Sequence, residues 1–142
     1  MPHHVAVFSE NKPGKLEGVT ALLAGEGVNI RAITIADSGD FGVFKLLVDQ
    51  PGRAVEILTG RGMVAALKEV VAARVSDRPG GLLKIARTLT EHRINVDDAY
   101  GFVLRSGETG VFVIQVGDPE EASRLLKEAG IELLDEKDLY YL

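Results

Sequence analysis

The 142-residue sequence contains no cysteine. That excludes a disulfide framework, a thiolate nucleophile and cysteine-ligated zinc or iron–sulfur centres, and it suits an intracellular setting. Clustered cations are missing too: the 16 Lys and Arg residues are scattered and outnumbered by 21 Asp and Glu, for a formal net charge of −5. Nucleic-acid binders neutralise phosphates with grouped cations, so that class is disfavoured. No apolar run reaches the roughly 18 residues of a membrane span, and the opening MPHHVAVFSENK has no basic segment followed by a long apolar one. Neither a membrane span nor a signal peptide is expected, and the reading is a cytoplasmic protein.

Catalytic signatures are also absent. There is no Walker A segment, no dinucleotide fingerprint after a strand, no G-x-S-x-G elbow and no histidine pair at helical metal-binding spacing. His3 and His4 are neighbours, which on a strand point to opposite faces and do not share a metal; as a terminal pair they are expected to be exposed. His92 falls near a helix end, where its charge would suit the macrodipole. No metal, cofactor or catalytic residue is expected, and the protein is read as non-enzymatic.

What is present is a duplication. NKPGKLEGVTALLAGEGVNI (Asn11 to Ile30) returns as DRPGGLLKIARTLTEHRINV (Asp77 to Val96), with Pro79 standing 66 positions after Pro13. GVFKLLVDQPGRAVEIL (Gly42 to Leu58) returns as GVFVIQVGDPEEASRLL (Gly110 to Leu126), but Gly110 stands 68 positions after Gly42. Two residues are therefore inserted between the copies' hairpin strands, which a surface turn tolerates because loop-closure entropy grows slowly with length. The expected division is residues 1–68 and 69–142.

Each copy reads as βαββαβ. In the first, HHVAVF suggests a strand and Leu16, Val19 and Leu23 keep helical spacing after Pro13-Gly14. Gly27 suits a left-handed cap, VNIRAITIA and GVFKLLV flank the turn-rich DSGDFG, a helix over Ala54 to Leu58 follows, and Met63 to Leu67 is a last strand. The second copy predicts strands over 70–75, 94–104, 110–116 and 131–134 and helices over 81–92 and 120–129. The implied fold class is α+β: two ferredoxin-like repeats, each an antiparallel sheet with both helices on one face. Leu16, Val19, Leu23, Leu82, Ile85 and Leu89 are expected in the cores. The same order suits an RNA-recognition module, but Phe41 and Phe44 are three apart and fall on opposite faces of a strand, so they do not form a stacking platform.

One feature recurs at the strand-to-helix junction of both copies: a Pro-Gly loop, followed 16 residues after each proline by Asn29 or Asn95. A helix start there leaves backbone N–H groups without intrahelical partners, a ready site for a carboxylate, and Gly14, Gly80 and Gly81 permit close approach. The alternative is that Pro and Gly only set turn geometry while the asparagines tie down a loop.

ENKPGKL with GEGVNIRAITI, and SDRPGGL with EHRINVDDAY, resemble ACT domains, the amino-acid-sensing modules of enzymes such as phosphoglycerate dehydrogenase and aspartokinase. The resemblance covers essentially the whole chain, in the manner of free-standing tandem ACT proteins. It implies a ligand, most simply a free amino acid, held between ACT domains by the loop before the first helix and the start of the second strand. Carried over, the implied contacts are Asn11, Lys12, Pro13, Gly14, Leu16, Asn29 and Ile30 in the first copy. In the second they are Asp77, Arg78, Pro79, Gly80, Gly81, Leu82, Asn95 and Val96. Asn11 and Asn29 match the dehydrogenase's two amide positions, whereas Asp77 replaces the amide with a carboxylate suited to an ammonium group, and Ser9 stands where the dehydrogenase has histidine. The resemblance further implies a homodimer formed through ACT domains and a metabolic-enzyme partner. A ligand-independent structural adaptor is the other open reading.

Overall fold

The computed structural model describes residues 1–142, apart from the side chain of Ser38. The first copy forms β1 (His3–Glu10), α1 (Lys15–Gly25), β2 (Ile30–Ser38), β3 (Phe41–Val48), α2 (Pro51–Gly60) and β4 (Val64–Glu69). The second forms β5 (Val71–Ser76), α3 (Gly81–Glu91), β6 (Val96–Arg105), β7 (Thr109–Val116), α4 (Pro119–Glu128) and β8 (Leu133–Leu134), followed by a short α5 (Glu136–Tyr140). The strands assemble into two four-stranded sheets, ordered β2-β3-β1-β4 and β6-β7-β5-β8. These are two βαββαβ units of ferredoxin-like order.

One compact unit is His3–Lys68 with Tyr140–Leu142, and the other is Glu69–Leu139 with Met1–Pro2. The terminal residues thus group differently from a continuous 1–68 and 69–142 division. In the first unit, Tyr140 Oη accepts from His3 N at 2.8 Å. Arg31 donates to the carbonyls of Tyr140 at 2.9 Å and Leu142 at 2.8 Å, strapping this short tail onto β2.

Alternation places Val5, Val7, Phe44, Leu46 and Val48 on one face of the first sheet, where they meet Val19 and Leu23 of α1 and Ala54 and Leu58 of α2. In the second unit Val71, Ala73, Ile114 and Val116 meet Ile85, Leu89, Ala122 and Leu126. Fully burying each of the larger side chains contributes on the order of 1.5–3 kcal/mol. Two expected core residues lie elsewhere: Leu16 is 42% exposed and Leu82 51% exposed. Both occupy the first helical turn, and the buried stripes begin one turn later, at Val19 and Ile85. The expected exposure of the histidine pair is corrected as well, because His4 is fully buried; by alternation it projects with the equally buried Ala6 from the face of β1 opposite Val5 and Val7. The five-residue α5 is too short to leave a periodic signature, and it is preceded by Asp135, whose carboxylate accepts from Asp138 N at 2.8 Å.

The two inserted residues are absorbed separately. In the first unit Asp37 pairs with Gly42 and Ser38 with Phe41, leaving Gly39 and Asp40 as the turn. In the second, Val103 pairs with Gly110 but Arg105 pairs with Thr109, so Leu104 forms a β-bulge and Ser106, Gly107 and Glu108 form a longer turn.

Candidate functional site

The proline-glycine loops are built by their glycines. Gly14 and Gly80 precede α1 and α3 with φ of 91° and 88°, left-handed values that cost an L side chain of order 1–2 kcal/mol. Gly81 is required for a different reason, since a Cβ there would collide with the carbonyl oxygen of Ser76. Neither helix start is capped by a side chain. By contrast, at α4 Asp118 accepts from Glu121 N at 3.1 Å and Pro119 opens the helix. The first amides of α1 and α3 therefore suit an external acceptor, and α3 carries no acidic residue in its first turn, where α1 has Glu17.

Around the second loop the hairpin tip completes the framework. Gly107 N donates to Asp77 Oδ2 at 2.7 Å and Arg78 Nε donates to Gly107 O at 3.5 Å, so one residue of the lengthened turn holds both charged residues of DRPG. Beneath lies a cavity of about 560 Å³ lined by Asp77, Arg78, Pro79 and Leu82 and floored by Gly101 and Phe112, among others. A second cavity of about 560 Å³ lies on the other side of the loop, lined by Arg78, Pro79, Gly80 and Gly81 with Lys84 and Glu132. The loop residues expected from sequence thus converge.

The first loop is tied differently. Asn11 Nδ2 donates to Asp37 Oδ1 at 3.1 Å and Asn11 N donates to Asp40 O at 2.9 Å, which commits the amide to the hairpin. Lys12 pairs with Glu10, and this hydrogen bond and charge, with a further contribution from Lys15, hold the Glu10 carboxyl below the usual carboxylate range. Asn11 and Lys12 border a cavity of about 350 Å³, while Pro13, Gly14 and Leu16 are exposed beside it.

Asn29 and Asn95 stand apart from these loops. Each lies past the far end of an 11-residue helix, about 16 Å long at 1.5 Å per residue. Asn29 N donates to Asp49 Oδ1 at 2.9 Å, and the neighbouring Ile30 packs on the core. Asn95 Nδ2 donates to Asp97 Oδ1 at 3.1 Å and borders a cavity of about 280 Å³, while Val96 pairs with Val116. One amino acid does not span a loop and the asparagine of the same unit. Sequence reasoning did not single out Gly101, Val103, Gly107 or Phe112, although a glycine inside a strand signals a close approach or a missing side chain.

Among the described residues no helix is long and apolar enough to cross a membrane, and no three His, Asp or Glu residues are grouped to hold a metal. No curated protein matches the chain at a significant level. Among solved structures, a protein from Bacteroides thetaiotaomicron is 30% identical with a TM-score of 0.92, covering 99% of this chain and 96% of that one. The ligand-free regulatory subunit of aspartate kinase from Thermus thermophilus superposes at a TM-score of 0.66 with 17% identity, covering 89% and 91%. Aspartokinase alpha and beta subunits do so at 0.59 with 21% identity, covering 90% and 91%. The model of the ACT domain pair matches residues 2–142, and with two βαββαβ units each opening its first helix on a proline-glycine loop, the chain belongs to that family.

Proposed function

We infer that this ACT domain pair is a regulatory sensor: it binds a free amino acid at a proline-glycine loop and changes its association with a partner, such as a metabolic enzyme. The observation that carries this reading is the pair of opposite charges, Asp77 and Arg78, at the edge of a cavity beside an uncapped helix start. An α-amino acid presents the complementary ammonium and carboxylate. The regulatory subunits of aspartate kinase share the fold, which supports a regulatory rather than a catalytic role. The reading takes the protein to be cytoplasmic and to pair through its ACT domains, so that a loop of one domain and an asparagine of another enclose one ligand.

A helix start contributes roughly 0.3–1 kcal/mol to an exposed anion and about 2 in favourable settings, while micromolar affinity requires about 8. The rest comes from ion pairing, amide hydrogen bonds and burial of the ligand side chain. A ligand bound only by the assembled form stabilises it by about 2.7 kcal/mol at a hundredfold excess over Kd, and by linkage assembly tightens ligand binding. The test is a panel of the twenty amino acids scored by melting temperature and calorimetry. Binding below millimolar, weakened by Asn29→Ala or Asn95→Ala, is expected. No binding, together with ligand-independent association with an enzyme, would replace the sensor with an adaptor.

A further inference from the structure

We propose that the second unit selects the ligand by its side chain, taking an aliphatic or aromatic amino acid into the cavity over Gly101. This rests on the amino-acid-sensor reading and adds which unit binds and what class of side chain it accepts.

The register aligns the two units residue by residue. Gly101 pairs with Phe112 and stands where the first unit has Ile35 pairing with Phe44. Val103 and Val75 both pair with Gly110; in the first unit Asp37 and Ser9 pair with Gly42 in those places. All of these project from the helix-bearing face, as Phe112 and Phe44 do. Around this spot the second unit therefore has Gly, Val and Val where the first has Ile, Asp and Ser. In the first unit the partly exposed Ile35 side chain stands at the place of Gly101 and polar groups border it, with Asp37 bonded to Asn11. The second unit's floor is bare main chain beside an aromatic ring, with apolar walls.

The bareness is built into the strand pairing. A Cβ on Gly110 would approach Phe102 O to 2.8 Å, and one on Gly101 would approach Val111 O to 3.1 Å. Val103 and Leu82 line this cavity and are 56% and 51% exposed, which leaves apolar surface for a ligand to cover. Asp77 and Arg78 at the rim match the ligand's own zwitterion. A charged side chain laid among Val75, Val103, Leu82 and Phe112 would give up part of its hydration against residues that carry no charge.

The full chain, titrated calorimetrically with L-amino acids, is expected to bind one of Val, Leu, Ile, Met or Phe at least about tenfold more tightly than Ala. Val103→Asp, which writes the first unit's residue onto an exposed position, is expected to weaken that ligand by about tenfold or more. The near-isosteric Val103→Thr should weaken it less, and Ile35→Ala in the first unit should leave it unchanged. Circular dichroism and melting temperature establish that each variant folds. A preference for a polar or charged amino acid, or full affinity in folded Val103→Asp, overturns the side-chain pocket while leaving the sensor reading intact. Binding of none of the twenty removes the sensor reading, and the pocket with it.

Discussion

Asp77 accepts the amide proton of Gly107 at 2.7 Å, joining the proline-glycine loop of the second unit to the tip of its β6–β7 hairpin. Hydrogen bonds to charged groups contribute roughly 1.5–3 kcal/mol, less where water competes. Asp77→Ala is expected to lower the stability of the chain by about 1 kcal/mol and to loosen both segments together. Faster amide exchange at Gly107 and in the loop, measured in the same sample, checks the coupling; exchange confined to one segment contradicts it.

Gly81 is the residue least open to replacement in this loop. Gly81→Ala pushes a methyl group into Ser76 O, a backbone atom that cannot swing aside, and should cost about 1–3 kcal/mol in denaturant unfolding. Gly18→Ala, where an added Cβ meets nothing within 4 Å, should be neutral or slightly stabilising as a helix substitution. Equal effects of the two would show that the Ser76 contact is unimportant.

Arg93 marks the opposite case. It holds φ of 55° two residues past the end of α3, at the position where the first unit uses Gly27 with φ of 73°. Arg93→Gly relieves the left-handed strain and should raise stability by up to about 1 kcal/mol, partly offset by the greater freedom of glycine when unfolded. The midpoint of urea unfolding reads the sign directly.

Arg31 should matter more than an ordinary surface arginine. It binds the carbonyls of Tyr140 and Leu142 and is only partly exposed. Arg31→Ala is expected to destabilise by about 2 kcal/mol and to speed amide exchange over residues 140–142. Unchanged exchange there would argue against the strap.

Burial, with a smaller contribution from the negative charge of Asp98, raises the Tyr100 phenol above its ordinary value. The unfolded chain then loses this proton first as pH rises, so Tyr100 stabilises the fold less and less above about pH 10, the unperturbed tyrosine range. Difference spectra of phenolate formation should show a late component that Tyr100→Phe removes. Appearance of that component in the ordinary range would sink the assignment.

The duplication made the βαββαβ order legible, because two imperfect copies of one pattern support each other where either is weak. The loops were legible for the same reason, since Pro13-Gly14 and Pro79-Gly80 recur at one structural point. Leu16 and Leu82 misled because helical spacing identifies a face without saying where the sheet beneath it ends. His4 misled because alternation assigns it to the face away from the helices but does not say that this face is buried as well. The cavity was hidden because its floor is defined by what Gly101 lacks opposite Phe112, a relation that exists only once the register is known. The insertion was visible as an offset, but its division between the Leu104 bulge and the longer turn was not.

The helix between each loop and its asparagine acts as a ruler, and its length bears on how the protein responds to its own abundance. At about 16 Å it keeps Pro13 and Asn29, like Pro79 and Asn95, beyond the reach of a single amino acid. If both elements grip one ligand, they come from different domains, and any closure that joins two chains obeys mass action. Apparent affinity would then weaken on dilution, so the dose of metabolite needed for a response would fall as the protein accumulates.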